Sequence, residues 1–175
     1  NVECIGVLHN TKKLKKSFTQ KIISLKIKKY FILSDSLKEK AIVPNSKIKL
    51  ESFYPIFFLE FKVQYIEKKE NEVWFCIPGR VEFSRRDYYY LIDQFKENKV
   101  SNNLKFVILG NINTKDGLEF KSELERLNLD SYFIIFNEFI DNNLYYNYIE
   151  KSDFILPLLK KEDTAYLNYK ISGTF

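Results

Sequence analysis

The sequence predicts an α/β chain built on Rossmann-like parallel sheets with helices on both faces. Two observations carry this expectation. Short apolar runs recur along the chain, and most are separated by stretches whose apolar residues fall at helical steps of three and four. The runs also end in turn residues, at His9-Asn10, Pro78-Gly79-Arg80 and Gly110-Asn111. Strands that alternate with helices of this length are joined by right-handed crossovers and lie parallel.

The first run, Val2 to Leu8, is almost wholly apolar, as for a strand buried on both faces. Lys12 to Lys29 then carries Leu14, Phe18, Ile22 and Leu25 among lysines, the spacing of one amphipathic helix with an apolar face. Tyr30 to Leu33 reads as a second strand, and Ser34-Asp35 offers a cap for a short helix through Leu37 and Ala41. The stretch 42–61 holds Pro44 and Pro55 without a clean period and is expected to be a connection. The domain organisation expected is therefore 1–61, the end of one layer plus a linker, and 62–175, a second, fuller layer.

In the second part Val73 to Ile77 is a buried strand, and Ser84-Arg85-Arg86-Asp87 has the spacing of a capping box. The helix behind it places Tyr88, Leu91, Ile92 and Phe95 on one face. Leu104 to Leu109 is the next strand, followed by a helix from about Asp116 to Leu127 and a strand from Tyr132 to Phe136. Asp141 caps a helix carrying Leu144, Tyr145, Tyr148 and Ile149, and Phe154 to Leu156 closes the pattern before Pro157.

Composition narrows the function. Hydrophobic residues at 45% and charged residues at 29% make an ordered globular chain. The net charge of +5 is mostly lysine, and a nucleic-acid binding face needs clustered charge rather than a high total, so nucleic-acid binding is not expected. No apolar stretch reaches the ~20 residues of a membrane span, and no signal peptide opens the sequence, so a cytoplasmic chain is expected. Cys4 and Cys76 lie inside strand-like runs and read as buried free thiols of a reducing compartment. The absence of Met and the turn-like end Ile171-Ser172-Gly173-Thr174-Phe175 read as an excerpt from a longer protein, incomplete at both ends.

In an open parallel sheet, ligands bind beyond the carboxyl ends of the strands. That rule selects His9-Asn10, the segment Gly79 to Arg86, Gly110-Asn111 and the turn Ser172-Gly173-Thr174. Three of the four arginines, Arg80, Arg85 and Arg86, sit in the second of these. Guanidinium groups donate in a planar fork that suits phosphate, and a helix N-terminus behind them favours an anion. The competing reading is a solvated loop with Arg86 paired to Asp87 or Glu82. His9, the single histidine, follows a strand end, where it is either a cleft residue or an ordinary hydrogen-bonded one. Neither a second histidine nor a cysteine pair at ligand spacing accompanies it, so no metal site is expected. GxxxxGK[ST] and GxGxxG are both missing. The Tyr88-Tyr89-Tyr90 and Tyr145-Tyr146 runs are in helical register and read as packing residues.

The stretch CIPGRVEFSRRDYYYLIDQF resembles the opening of the donor-binding domain of GT-B glycosyltransferases, in which a strand ends in Gly-Arg and a basic residue follows about six positions on. Gly79, Arg80 and Arg85 fall on those positions, with Arg86 adjacent. LKFVILGN is similar to the family's second strand and glycine turn. FIIFNEFIDNNLYYNYIEKSDFILPL is similar to its strand, base-contacting turn and following helix, although Glu138 stands where the turn's glycine is usual. YKISGTF is similar to the phosphate-contacting turn of bacterial cell-surface polysaccharide members. VLHNTKKL with YFILSDSL looks like the end of the acceptor-binding domain.

The resemblance implies a hexosyltransferase that moves a sugar from a nucleotide-sugar to a glycan or lipid-linked acceptor. It implies no cofactor or metal, and peripheral contact with the inner face of a membrane. By the same resemblance Gly79, Arg80, Arg85, Arg86, Ser172, Gly173 and Thr174 contact the donor phosphates, Gly110, Asn111, Phe139 and Ile140 meet its base, and His9 serves catalysis from the acceptor side. The acidic pair of the family would lie past Phe175, so this stretch is expected to be inactive alone. The alternative is a non-catalytic α/β module for a phosphorylated ligand or a protein.

Overall fold

A computed structural model describes residues 4–44, 46–54 and 60–160, and the chain divides into two compact units, one holding the described residues up to 54 and the other those from 60. Each is an α/β layer with an all-parallel sheet. Among the described residues no helix is long and apolar enough to cross a membrane.

The first unit orders three strands as β1 (Ile5–Leu8), β2 (Lys29–Ile32) and β3 (Lys49–Ser52). Leu8, Tyr30 and Ile32 point to one face and form a core with Leu14, Leu37 and Ile48. The helix expected over Lys12 to Lys29 is broken in two, α1 (Lys12–Lys16) and α2 (Phe18–Lys26). Ser17 is extended at φ −88° and ψ 122°, ends the first helix and caps the second by accepting from the Gln20 N–H. The break turns the expected apolar face outward: Leu14 is buried, but Phe18, Ile22 and Leu25 are 76%, 52% and 71% exposed. What α2 buries is polar. The Ser24 and Tyr30 hydroxyls lie 2.8 Å apart, and Gln20 Nε2 donates to Tyr30 Oη at 3.0 Å.

Helix α3 (Asp35–Lys40) starts where Ser34 accepts from the Leu37 N–H, as its sequence position predicts. The stretch expected to be a connection contains β3, which alternation of Lys49, Leu50 and Glu51 did not announce. The first strand was expected to be buried on both faces, yet Ile5 and Val7 are 42% and 53% exposed, because the described helices cover only the other side. Cys4 is likewise exposed rather than buried.

The second unit orders four strands β6-β5-β4-β7: β4 (Val73–Pro78), β5 (Leu104–Asn111), β6 (Phe133–Phe136) and β7 (Phe154–Ile155). In order of appearance this is third, second, first, fourth, the Rossmann-like arrangement, with a switch point between β4 and β7. The central strands read as continuous apolar runs because both their faces are covered. Helices α4 (Tyr88–Glu97) and α5 (Lys115–Arg126) pack Tyr88, Leu91, Ile92, Phe120 and Leu124 on Ile77, Phe106 and Ile108. Helix α6 (Asn142–Lys151) packs on the opposite face, against Trp74, Cys76, Val107 and Leu109. Cys76 has no exposure, and burial pushes its thiol up to about 12.

Two local devices hold α6 in place. Asp141 caps it by accepting from the Asn143 and Leu144 N–H groups. Asn147, buried on the same helix, behaves as a strand edge: it accepts from the Gln64 N–H at 2.8 Å and donates to the Lys62 carbonyl at 2.8 Å. The extended segment before β4 is thereby tied to the helix. The cap of α4 differs from expectation. Asp87, not Ser84, accepts from the Tyr90 N–H, and the Ser84 hydroxyl donates to Glu82 instead.

Candidate ligand-binding cleft

Strand β4 runs out at Pro78 into Gly79, whose φ of +98° is a conformation that side chains rarely adopt. Its N–H donates to the Leu109 carbonyl at 3.0 Å. A Cβ there would also stand 2.9 Å from the Arg86 guanidinium. The neighbouring strand meets this turn with a second glycine: a Cβ on Gly110 would collide with the Gly79 carbonyl and lie 3.3 Å from Arg80 Cα. Two backbones therefore cross with no side chain between them. A bulge lies at the crossing, since β5 pairs Ile108 with Ile135 but Asn111 with Phe136, leaving Leu109 and Gly110 as extra residues opposite β6.

Above the crossing opens a cleft of about 540 Å³, a volume typical of small-molecule sites. Gly79, Arg80, Gly110 and Asn111 form its floor and one side, with Thr114, the residue that caps α5 by accepting from the Gly117 N–H. The start of α6 makes the other side through Asn142, Tyr145 and Tyr146, and Phe139 and Ile140 stand before it. Ile140 is buried, whereas Phe139 is 84% exposed, an aromatic face presented at the mouth. Tyr146 is braced by a stacked Phe61 at 5.6 Å and meets Tyr145 edge-on. Burial raises the Tyr145 phenol above its ordinary value, so at neutral pH it offers a neutral hydroxyl.

The three arginines of the turn have separate fates. Arg80 is exposed on the cleft wall and has no hydrogen-bond or ion-pair partner among the described residues. Arg85 is not among the residues that line the cleft; its Nη1 lies 3.8 Å from Glu82 and its side chain is 47% exposed. Arg86 lies under the floor at 6% exposure. Its guanidinium donates to the Pro157 carbonyl at 2.6 Å and to the Pro78 carbonyl, fastening the ends of β7 and β4 together across the switch point. A short antiparallel clip, Arg86 against Leu159 with the Asp87 N–H donating to Leu158, continues the same closure. The helix behind the turn was expected to leave its N-terminus open to an anion, but the Asp87 carboxylate already occupies it.

Of the residues singled out from sequence, the structure brings Gly79, Arg80, Gly110, Asn111, Phe139 and Ile140 into one cleft. His9 is exposed directly after the carboxyl end of β1, in the first unit. Ser172, Gly173 and Thr174 lie outside the described residues. Thr114, Asn142, Tyr145 and Tyr146 were not anticipated as cleft residues. Their signal was available, because helix starts facing the carboxyl edge belong to the same rim as the strand ends. The two tyrosines were read as packing, and Tyr145 does both: it packs on the core while lining the cleft. Among the described residues, no three His, Cys, Asp or Glu side chains gather as a metal site. No protein-family profile, curated protein or solved structure matches the chain.

Proposed function

We propose that the second unit binds a nucleotide-sugar in this cleft, and that the chain is part of a GT-B-type glycosyltransferase acting on a glycan or lipid-linked acceptor in the cytoplasm. The observation that carries the reading is Arg80, a guanidinium with no described partner, standing over the bare backbone crossing of Gly79 and Gly110 at the carboxyl ends of the two central strands. A diphosphate needs such a place, where main chain can approach closely and a planar donor can face two oxygens. The base lies against Phe139 and Ile140, with Tyr145 and Tyr146 behind it.

In the transfer step the bond from the anomeric carbon to the diphosphate oxygen breaks, and both electrons leave with the diphosphate. The acceptor oxygen bonds to the same carbon, and its proton is released to solvent. Arg80 stabilises the departing charge, an effect worth about 2 to 4 kcal/mol for a fixed donor in a protected site. By the resemblance, the turn Ser172 to Thr174 adds donors around the phosphates, and His9 belongs to the acceptor side. No cofactor takes part, since the nucleotide-sugar is itself a substrate.

Calorimetry with UDP, GDP and ADP tests the reading. One of the three should bind, and Arg80→Ala should weaken it on the order of 30-fold, while Arg126→Ala, far along α5, leaves it unchanged. Binding without sugar transfer by the longer protein would favour the non-catalytic module. Failure of all three nucleotides to bind would remove the reading.

A further inference from the structure

The first unit has a cavity of its own, which shares no residue with the cleft. It measures about 120 Å³, the space of roughly four waters, and is lined by Thr11, Lys12, Lys15, Lys16, Lys40 and Ile42. Helix α1 gathers three of these lysines. At 100° per residue, positions 12, 15 and 16 span an arc of about 100°, on the side away from the buried Leu14. Lys40 is the last residue of α3, and Ile42 follows it. No carboxylate lines the cavity, and Lys15 and Lys16 have no hydrogen-bond or ion-pair partner among the described residues.

Thr11 supplies an independent observation. It is 3% exposed, and its hydroxyl has no hydrogen-bond partner. It stands directly before α1, where a threonine ordinarily caps, yet Asn10 takes that role by accepting from the Lys12 N–H at 3.0 Å. A buried hydroxyl without a partner is destabilising, and ammonium groups on adjacent turns of a helix repel one another. A single small anion removes both penalties, accepting from the hydroxyl and neutralising Lys15 and Lys16. The cavity lies well below the volume of about 300 Å³ at which sites for drug-sized ligands begin, so it suits a tetrahedral oxyanion. The charge around it has the matching sign: residues 4–54 hold 12 Lys, no Arg and three acids (Asp35, Glu39, Glu51), a net +9. We infer that the cavity between α1 and the end of α3 binds a phosphate group through the Thr11 hydroxyl and the Lys15 and Lys16 ammonium groups, with Lys12 and Lys40 adding to the field.

The test is calorimetry of the whole chain with inorganic phosphate and with glycerol 3-phosphate, alongside the melting temperature of each variant. Phosphate should bind saturably, and the binding should persist in Arg80→Ala, which separates this site from the cleft of the second unit. Lys15→Ala with Lys16→Ala, both at exposed positions, should weaken it on the order of 30-fold. Thr11→Val keeps the shape and removes the hydroxyl. It should bind phosphate on the order of 5-fold more weakly, yet melt no lower than the parent chain in the absence of ligand, since it deletes an unpartnered buried group. Tighter binding of inorganic phosphate identifies a free ion and tighter binding of glycerol 3-phosphate a phosphoester, and either supports the site. Full affinity in both the lysine variant and Thr11→Val would overturn the inference. So would binding that disappears with Arg80→Ala, or a titration that never saturates, the mark of loose pairing with exposed lysines.

Discussion

The two units share one construction, parallel strands joined by helices, and differ in what those helices bury. In the second unit α4 and α5 set Tyr88, Leu91, Ile92, Phe120 and Leu124 at 7% exposure or less, and α6 closes the opposite face. In the first, α2 buries a serine and leaves its largest apolar residues in solvent. The same helical period of apolar residues thus means core in one unit and surface in the other. Periodicity shows that a helix is amphipathic; where its apolar side turns depends on caps and partners, here on Ser17 and on a hydroxyl from Tyr30.

The largest effect that would break this contrast is at Arg86. Arg86→Met should cost the second unit about 4 kcal/mol, because two buried carbonyls lose a charged donor together. Urea unfolding followed by Trp74, the single tryptophan, reads that unit alone. A loss under about 1 kcal/mol would mean that the β4–β7 closure does not depend on the guanidinium. Next comes a matched pair. Leu91→Ala on α4 should cost about 3 kcal/mol, and Leu25→Ala on α2 should stay within about 0.5 kcal/mol. Thiol labelling separates the two units in this experiment: Cys4 is exposed and reacts in the native chain, whereas Cys76 reacts only when the second unit opens. Equal costs at the two leucines would erase the difference drawn above.

Gly79→Ala sharpens the comparison further, since it strains a left-handed backbone position and presses on Arg86. A loss of about 2 kcal/mol is expected, again by urea and Trp74. The smallest effect is electrostatic. Lys68, 2.5 Å away, holds the Asp153 carboxyl below its ordinary value, with the Trp74 N–H also donating to it. A carboxylate depressed in the folded state adds stability above its unfolded pKa, and that contribution disappears as pH falls through the folded one. The second unit should therefore lose stability as pH drops below the usual carboxylate range, and Asp153→Asn should flatten that slope. An unchanged slope in Asp153→Asn would show that the pair is screened away, as exposed pairs often are.

The strands of the second unit were legible because central parallel strands are apolar on both sides, so Val73–Ile77 and Leu104–Leu109 needed no partner information. Strand β3 was not, since Lys49 and Glu51 face outward and only Leu50 points in. The cleft was half legible. A strand followed by glycine gives its own position away, and Gly79 and Gly110 were found that way. Arg86 was not read correctly as a surface donor, because its burial depends on the carbonyl of Pro157, 71 residues along the chain. Likewise Thr114 and Asn142 enter the cleft only through the placement of two helices that sequence spacing does not fix.

That same 71-residue reach has a consequence for how the chain comes into being. Strand β7 adds itself to β4 after two intervening strands and three helices have been made, and Arg86 cannot grip until Pro157 exists. Long-range parallel pairing is slow to close, and an open sheet edge at β4 is exposed while it waits. All the described strands of the first unit are available by Ser52, when the second still lacks its own. The clamp at the switch point is then the last closure of the second unit, made only once Pro157 has emerged.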